Sequence, residues 1–423
     1  MPPQMPPVMS MWGVVALGIG SMIGAGIFAL LGQATLIAGK DVLLSFLVGG
    51  VIALLSGGSF ARLAARYPRR GGLIDYLAEA FPGSLFARSV SLVYLVTLIV
   101  SVAVVGKSFG AYAAQLVFGM PPGSLAANVL TVLMVLAVAG INLAGAGTVG
   151  RIEIALVATK LGVLVLLIGA SLGRFDPQLL MKTPDVGWAT LMSSIGLTFF
   201  AYAGFGMMAN ASASVAEPQK TMPRAIFIAI ALVTFFYLAL AAVVLGNVSM
   251  DQLRRYTDSA VAVAARPALG QAGYIIVTFG GLLATASATN ATLFSILNLN
   301  AELGRQGTLP RAFGRIILHA PLGFSCSVAA ALILVVAFPL SAIASLAGMF
   351  FLMAYIAVFA AHWRLRREAG GRRLFIILGA ASMGCVLLGS AISLGREQPS
   401  ALALGAVILV ACAAGEWLIM RRR

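Results

Sequence analysis

Uncharged apolar stretches, each long enough to cross a membrane, follow one another from residue 10 to residue 420 with little between them. Few folds are open to such a chain. Within hydrocarbon every backbone N–H and C=O must be satisfied inside the structure, which leaves helices or closed barrels, and a helix needs roughly 20 apolar residues to cross. These stretches are too long and continuous for barrel strands. Charged residues make up 10% of the chain, against roughly 25% in an average soluble protein, so an ordinary soluble globule is excluded. The expected fold is an all-α polytopic membrane protein with 12 transmembrane helices, near 10–38, 42–64, 86–116, 125–144, 149–172, 188–213, 225–248, 270–301, 321–338, 341–362, 373–394 and 400–420. The division between the ninth and tenth rests on Phe338-Pro339-Leu340-Ser341 alone.

A formal net charge of +15 raises nucleic acid as a partner. The basic residues, however, sit at the ends of apolar segments and not on a hydrophilic domain, so no nucleic-acid role is expected. With the N-terminus cytoplasmic, Arg62, Arg66, Arg69, Arg70, Arg88, Arg224, Arg305, Arg311, Arg315 and the run from Arg364 to Arg373 fall on one face. The other face receives Lys40, Lys107, Arg174, Lys182, Arg254, Arg255, Arg266 and Arg396. The more basic face is expected to be the cytoplasmic one, with both termini there and the protein in the cytoplasmic (inner) membrane. Residues 1 to 39 carry no charge, so the first apolar segment is not expected to be a cleaved leader. Cys326, Cys385 and Cys412 lie within apolar segments without disulfide or metal-ligand spacing and read as small core residues. No metal and no cofactor is expected.

Two spans share a peculiarity. The first carries Gly18-Ile19-Gly20-Ser21-Met22-Ile23-Gly24-Ala25-Gly26-Ile27, and the sixth carries Phe199-Phe200-Ala201-Tyr202-Ala203-Gly204-Phe205-Gly206. Small residues also allow close helix packing. Glycine-interrupted helices at corresponding places in two halves instead point to an inverted-repeat transporter with its site at the membrane midplane.

At these residues the sequence resembles the amino acid–polyamine–organocation (APC) transporter superfamily, over nearly the whole chain. The first-span string Gly20-Ser21-Met22-Ile23-Gly24-Ala25-Gly26-Ile27-Phe28 resembles its G-x-x-I-G-[SA]-G-I-F signature. Arg66-Tyr67-Pro68-Arg69-Arg70-Gly71-Gly72 is similar to its P-x-x-G-G loop. Glu217-Pro218-Gln219-Lys220-Thr221-Met222-Pro223-Arg224-Ala225-Ile226 resembles N-P-x-[RK]-x-[IV]-P-R-A-I, and Gly304-Arg305-Gln306-Gly307-Thr308-Leu309-Pro310 resembles D-G-x-[LF]-P. The resemblance implies a LeuT-type five-plus-five inverted repeat in one membrane domain, 1–423. Residues 10–172 and 188–362 would be the repeats, and 373–420 would hold two additional C-terminal helices. There are departures: the acidic residue many members carry after the span-six Gly-Phe is Gly206 here, and Asn-Pro is Glu217-Pro218.

A broken helix exposes amides where its second half starts and carbonyls where its first half ends. The amides of Ala25, Gly26 and Ile27 would meet an α-carboxylate, aided by the helix dipole. Carbonyls of Met22 and Ile23, with those of Phe200 and Ala203, would hold an α-ammonium. Gly24 and Gly204 let the backbone approach the ligand. A zwitterionic amino acid fits such a site without help from side-chain charge, and a neutral one is expected. The resemblance makes Phe200 an occluding lid, although core packing would also explain it and Tyr202 offers a nearby hydroxyl. Ser101, Ala347 and Met353 are expected to line the pocket from spans three and ten.

Lys160 lies ten residues into span five from Gly150, about 15 Å at the helical rise, hence near the bilayer centre and beyond snorkelling reach. An ammonium there must face the interior and find acceptors. In proton-driven members of the family a fifth-span lysine takes the place of a sodium ion, contacting spans one and eight. The resemblance therefore implies proton coupling by Lys160, with the carbonyls near Gly20 and Ser21, and Ser287, as partners; a permanently charged, purely structural lysine is the other reading. Lys107 reads as a snorkelling or gate residue. His319 and His362 fall at cytoplasmic helix ends, Glu153 pairs with Arg151, and the Arg364–Arg373 run anchors to membrane lipid. The expected function is a proton-coupled symporter of amino acids. An ion-independent exchanger of the same fold is the alternative, and a polytopic membrane enzyme is a remote one, since no span carries a catalytic constellation.

Overall fold

Helix follows from apolar composition throughout the described parts of the chain, which in this computed structural model are residues 9–120, 123–143, 149–174, 176, 178–179, 186–317 and 320–421. In order they form α1 (Met11–Ala25), α2 (Ile27–Ala38), α3 (Val42–Arg66), α4 (Leu73–Ala80), α5 (Leu85–Phe118), α6 (Leu125–Leu143), α7 (Val149–Ser171), α8 (Trp188–Tyr202) and α9 (Phe205–Met208). Then come α10 (Pro218–Asn247), α11 (Met250–Arg255), α12 (Ala260–Val263), α13 (Arg266–Arg305), α14 (Leu322–Ala337), α15 (Leu340–Ala369), α16 (Arg373–Glu397) and α17 (Pro399–Arg421). Among the described residues nine helical segments are long and apolar enough to cross a membrane, and three shorter apolar helices accompany them, Met11–Gly24, Ala155–Ser171 and Leu322–Ala337. The chain is an all-α polytopic membrane protein. Its described strands form one two-residue pair, Ile316–Ile317 against Ala320–Pro321, beside an isolated bridge from Met9 to Val215.

Several hydroxyls within these helices are satisfied by their own backbone. Thr97, Ser101 and Thr285 each donate to the carbonyl four residues back at 2.7 Å, which lets a hydroxyl sit in an apolar layer at little cost. Pro339 separates α14 from α15, as the sequence suggested: Phe338 takes an extended conformation, and α15 begins beyond the ring that cannot donate. α10 begins at Pro218, several residues before the expected 225, because Pro is tolerated at a helix start. The short helices α4, α11 and α12 between spans were not anticipated.

Burial sorts the helices. The Trp188–Ser214 segment is 89% buried in its most apolar window and α15 83%, whereas α16 and α17 reach only 28% and 17%, so the former are central and the latter face lipid. Packing partners recur in a regular way. α3 packs on α10 and α5 on α13; α1 packs on α10 as α8 packs on α3; α7 packs on α13 as α15 packs on α5; and α1 meets α7 as α8 meets α15.

One expectation about the cysteines is corrected. Cys326 and Cys385 are exposed and Cys412 half-buried, on helices turned outward, because a thiol is apolar enough to need no protein core when the surroundings are hydrocarbon.

Candidate functional site

α1 stops where the backbone leaves helical geometry, at Ile23 (ψ 93°) and Gly24 (φ 157°, ψ −68°), and α2 restarts at Ile27. Position 24 admits only glycine on two counts. The φ value is unfavourable for an L side chain, and a Cβ there would lie 2.4 Å from the Ala284 carbonyl oxygen of α13. The first span is therefore interrupted where the sequence placed the break.

The sixth span behaves differently. Ala203 (φ −58°, ψ −17°) and Gly204 (φ −56°, ψ −21°) stay right-handed, and the amides of Gly206 and Met207 reach back three residues to Ala203 and Gly204 at 3.1 Å each. This is a tightened turn, not an unwound stretch. Gly204 is still required: a Cβ on it would sit 2.8 Å from the Ser21 carbonyl carbon, so spans one and six touch backbone to backbone.

Lys160 is fully buried on α7 and bridges three elements. Its Nζ donates to Ser287 Oγ at 3.0 Å, to the Gly20 carbonyl at 3.3 Å, and to the Ile23 carbonyl at 3.5 Å, the outer limit of a hydrogen bond. An ammonium has three donors and here meets three acceptors, two of them at the end of α1. Gly20 and Ser287 are the partners the sequence suggested. Ser21 contributes elsewhere, its hydroxyl lying 2.9 Å from the Gly204 carbonyl and 3.0 Å from that of Gly18.

Two tyrosines complete the arrangement. Tyr237 of α10 donates to the Met22 carbonyl at 2.6 Å and lies 3.0 Å from that of Ala201, while Tyr355 of α15 donates to the Ala203 carbonyl. The Gly26 amide closes on Met22 O at 3.0 Å. Of the carbonyls expected to receive an ammonium, Met22, Ile23 and Ala203 are thus held by a phenol, a lysine and a phenol. Met22, Ile23, Ile27, Phe200 and Ala203 are all buried, so the segment is packed shut in this conformation.

Phe200 packs at 5.6 Å between ring centroids against Phe351, which in turn contacts Tyr94 and Tyr355. Ala347, Phe351 and Tyr355 are four apart and share the inward face of α15. Met353, two residues from either aromatic, falls on another side of the helix and is partly exposed, which corrects its assignment to the pocket lining. Ser101 is buried but bonded to Thr97 on its own helix.

Tyr237 and Tyr355 were missed in the sequence. Each is a phenol inside an otherwise apolar span, and a buried hydroxyl needs a partner. His362 joins Ser59 and the Gly370 carbonyl at 2.9 Å each, a strap between α3 and the end of α15. His319, Lys182 and the side chains of Ala25, Arg151 and Glu153 lie outside the described residues.

On the face opposite the arginine-rich one, Lys107 donates to the Val335 carbonyl at 2.7 Å and Gln33 of α2 donates to Asp258 at 3.0 Å. Burial pushes the Asp258 carboxyl above the usual range, opposed by the Gln33 amide and the Lys107 ammonium. Exposing this cluster to water would return Asp258 to its ordinary value. The buried arrangement therefore binds the proton more tightly, so it is favoured as pH falls and that contribution is lost as pH rises through the raised value. Amide exchange across 248–265, corrected for intrinsic rate, should slow at lower pH in the wild type and respond less in Asp258→Asn. Faster exchange at low pH would contradict the sign.

Residues 9–413 match the amino acid permease family. The chain belongs to that family. Among relatives of this permease, the inner membrane transport protein YbaT of Escherichia coli K12 is 40% identical over 398 residues, 93% of this chain and 92% of its own. The branched-chain amino acid permease BcaP of Lactococcus lactis is 30% identical over 390 residues, covering 84% of this chain and 81% of its own. A methylthioribose transporter of Bacillus subtilis is 26% identical over 322 residues, 73% and 69% of the two chains. The resemblance in the sequence motifs is thereby shown, and the permease is a membrane transporter of amino acids by family.

Proposed function

We propose that this permease is a proton-coupled symporter of neutral amino acids, working by alternating access around the break in its first span. The observation that carries the reading is the buried Lys160 ammonium, joined to both the broken span and α13. A single positive charge at that place holds the carbonyl end of α1 as a bound cation would. The substrate's carboxylate would meet the amides of Ala25, Gly26 and Ile27. Its ammonium would meet the carbonyls of Met22, Ile23, Phe200 and Ala203, displacing the phenols of Tyr237 and Tyr355 and sharing Ile23 with Lys160, with Phe200 closing over it. Met22, Gly24 and Gly204 shape that space.

Twelve crossings are proposed, with 10–172 and 188–362 as inverted repeats, 373–420 appended, and both termini cytoplasmic in the inner membrane. The packing pairs support this. Exchanging spans one to five with six to ten maps α1–α10 onto α8–α3, α7–α13 onto α15–α5 and α1–α7 onto α8–α15, and returns α3–α10 and α5–α13 to themselves.

Neutral selectivity is supported by Gly206. A Cβ there would lie 2.1 Å from the Tyr355 hydroxyl, so the phenol fills the room a carboxylate-bearing side chain would need. A cationic side chain would enter such a pocket without a counter-charge, at a desolvation cost of several kcal/mol. In competition for uptake, alanine, leucine and similar amino acids should displace one another, whereas arginine or a diamine should not at a hundredfold higher concentration, on the order of 3 kcal/mol of discrimination. Arginine binding more tightly than these neutral amino acids would sink the assignment. An ion-independent exchanger is the competing reading, separated by flux under a pH gradient alone.

A further inference from the structure

The arginine-rich end of α15 carries a groove apart from the first-span break. Its volume is about 510 Å³ and its lining is Phe81, Ala360, Trp363, Arg364, Arg366 and Arg367. The guanidinium of Arg364 sits 5.2 Å from the centre of the Phe81 ring, and that of Arg366 sits 4.4 Å from the Trp363 ring. Stacking in this way occupies the flat face of a guanidinium and leaves its N–H edge for an oxygen acceptor. That edge matches a phosphate in two-point fashion. Among the described residues no carboxylate lies within 4.0 Å of Arg364, Arg366 or Arg367. The adjacent acid, Glu368, is turned to the other side, 3.7 Å from Arg66 and accepting from the Tyr67 hydroxyl at 2.7 Å.

We infer that this groove binds the phosphodiester headgroup of an anionic phospholipid. Three positive groups without a counter-ion among the described residues call for an anion. The surroundings specify that it comes with acyl chains. Trp363 is 41% exposed, Phe86 45%, and Leu374 and Phe375 at the start of α16 are 61% and 50% exposed, so apolar surface continues from the rim of the groove toward lipid. Aromatic side chains flanked by arginines are suited to the headgroup level of a bilayer. A bound headgroup would tie Phe81, in the turn between α4 and α5, to the end of α15, and so fasten the inter-span helix α4 to a central span.

The test uses the full-length protein purified in a neutral detergent. It is titrated with short-chain phosphatidylglycerol, with phosphatidylcholine of the same chain length, and with sodium phosphate, while unfolding temperature is followed and native mass spectrometry counts retained lipids. Phosphatidylglycerol should give a saturable rise in unfolding temperature and one retained lipid, and the other two should not. The double variant R364Q/R367Q, altered only at exposed side chains, should bind phosphatidylglycerol on the order of tenfold more weakly. R254Q/R255Q, on the opposite face, should behave as wild type. Wild-type affinity in R364Q/R367Q overturns the site. Equal stabilisation by sodium phosphate, or by phosphatidylcholine, overturns the assignment to an anionic lipid.

Discussion

Gly26→Val abolishes amino-acid binding while leaving an inserted, monodisperse protein. A Cβ at position 26 would lie 2.1 Å from the Tyr237 hydroxyl and 2.6 Å from the Ala201 Cβ, so valine must drive α10 or α8 away from α1. The Tyr237 bond to Met22 is lost first, and with it the geometry of the carbonyl end of the break. Overpacking of this kind costs about 1–3 kcal/mol, which a large buried core tolerates. Binding suffers more, because charge-assisted hydrogen bonds of about 1.5–3 kcal/mol each depend on backbone position at the break. A loss of affinity on the order of a hundredfold or more follows. Gly162→Val is the control. That glycine lies two residues from Lys160, and a Cβ on it would meet nothing within 4 Å, so binding should persist. Wild-type affinity in Gly26→Val would remove the first-span break from the binding site.

The membrane class, the span order and the first-span break were legible in the sequence because each is a local property. Run length, missing charge and glycine spacing need no knowledge of partners. Lys160 was legible for the same reason: a lone ammonium deep in a span has to face inward. Its partners were found only in part. Gly20 and Ser287 were implied by the family resemblance, but whether Ser21 offers its carbonyl to Lys160 or its hydroxyl to Gly204 depends on rotation about the helix axis, which spacing does not encode. The sixth span misled for a related reason. Glycine permits a break without requiring one, and here tight contact with Ser21 and Tyr355 keeps Ala203 and Gly204 right-handed. Met353 was misplaced because position along a helix was read without its rotation. The tyrosines acting on Met22 and Ala203 come from distant spans, and only the assembled bundle brings them there.

Loss of proton-driven accumulation is the second large effect, expected of Lys160→Ala. Removing the ammonium takes a buried donor from Ser287 and from the carbonyls of Gly20 and Ile23, and a buried carbonyl left unpaired costs about 1–3 kcal/mol. It also removes a titratable group joined to both the first-span break and α13. A proton shifts a conformational equilibrium only through its differential affinity for the two states, so without that group the gradient should lose its hold on the first-span break. Substrate exchange should survive at a reduced rate, since the amides of the break do not depend on the lysine. Lys160→Arg should not restore accumulation, because a guanidinium stays charged and its planar fork does not fit a site shaped for an ammonium.

The most direct measurement is uptake of a neutral amino acid into proteoliposomes with an imposed inward proton gradient and no sodium. Wild-type protein should concentrate the substrate above its external level, and Lys160→Ala and Lys160→Arg should only equilibrate it. Accumulation by wild type that requires sodium, or accumulation by Lys160→Ala driven by protons, would contradict the account.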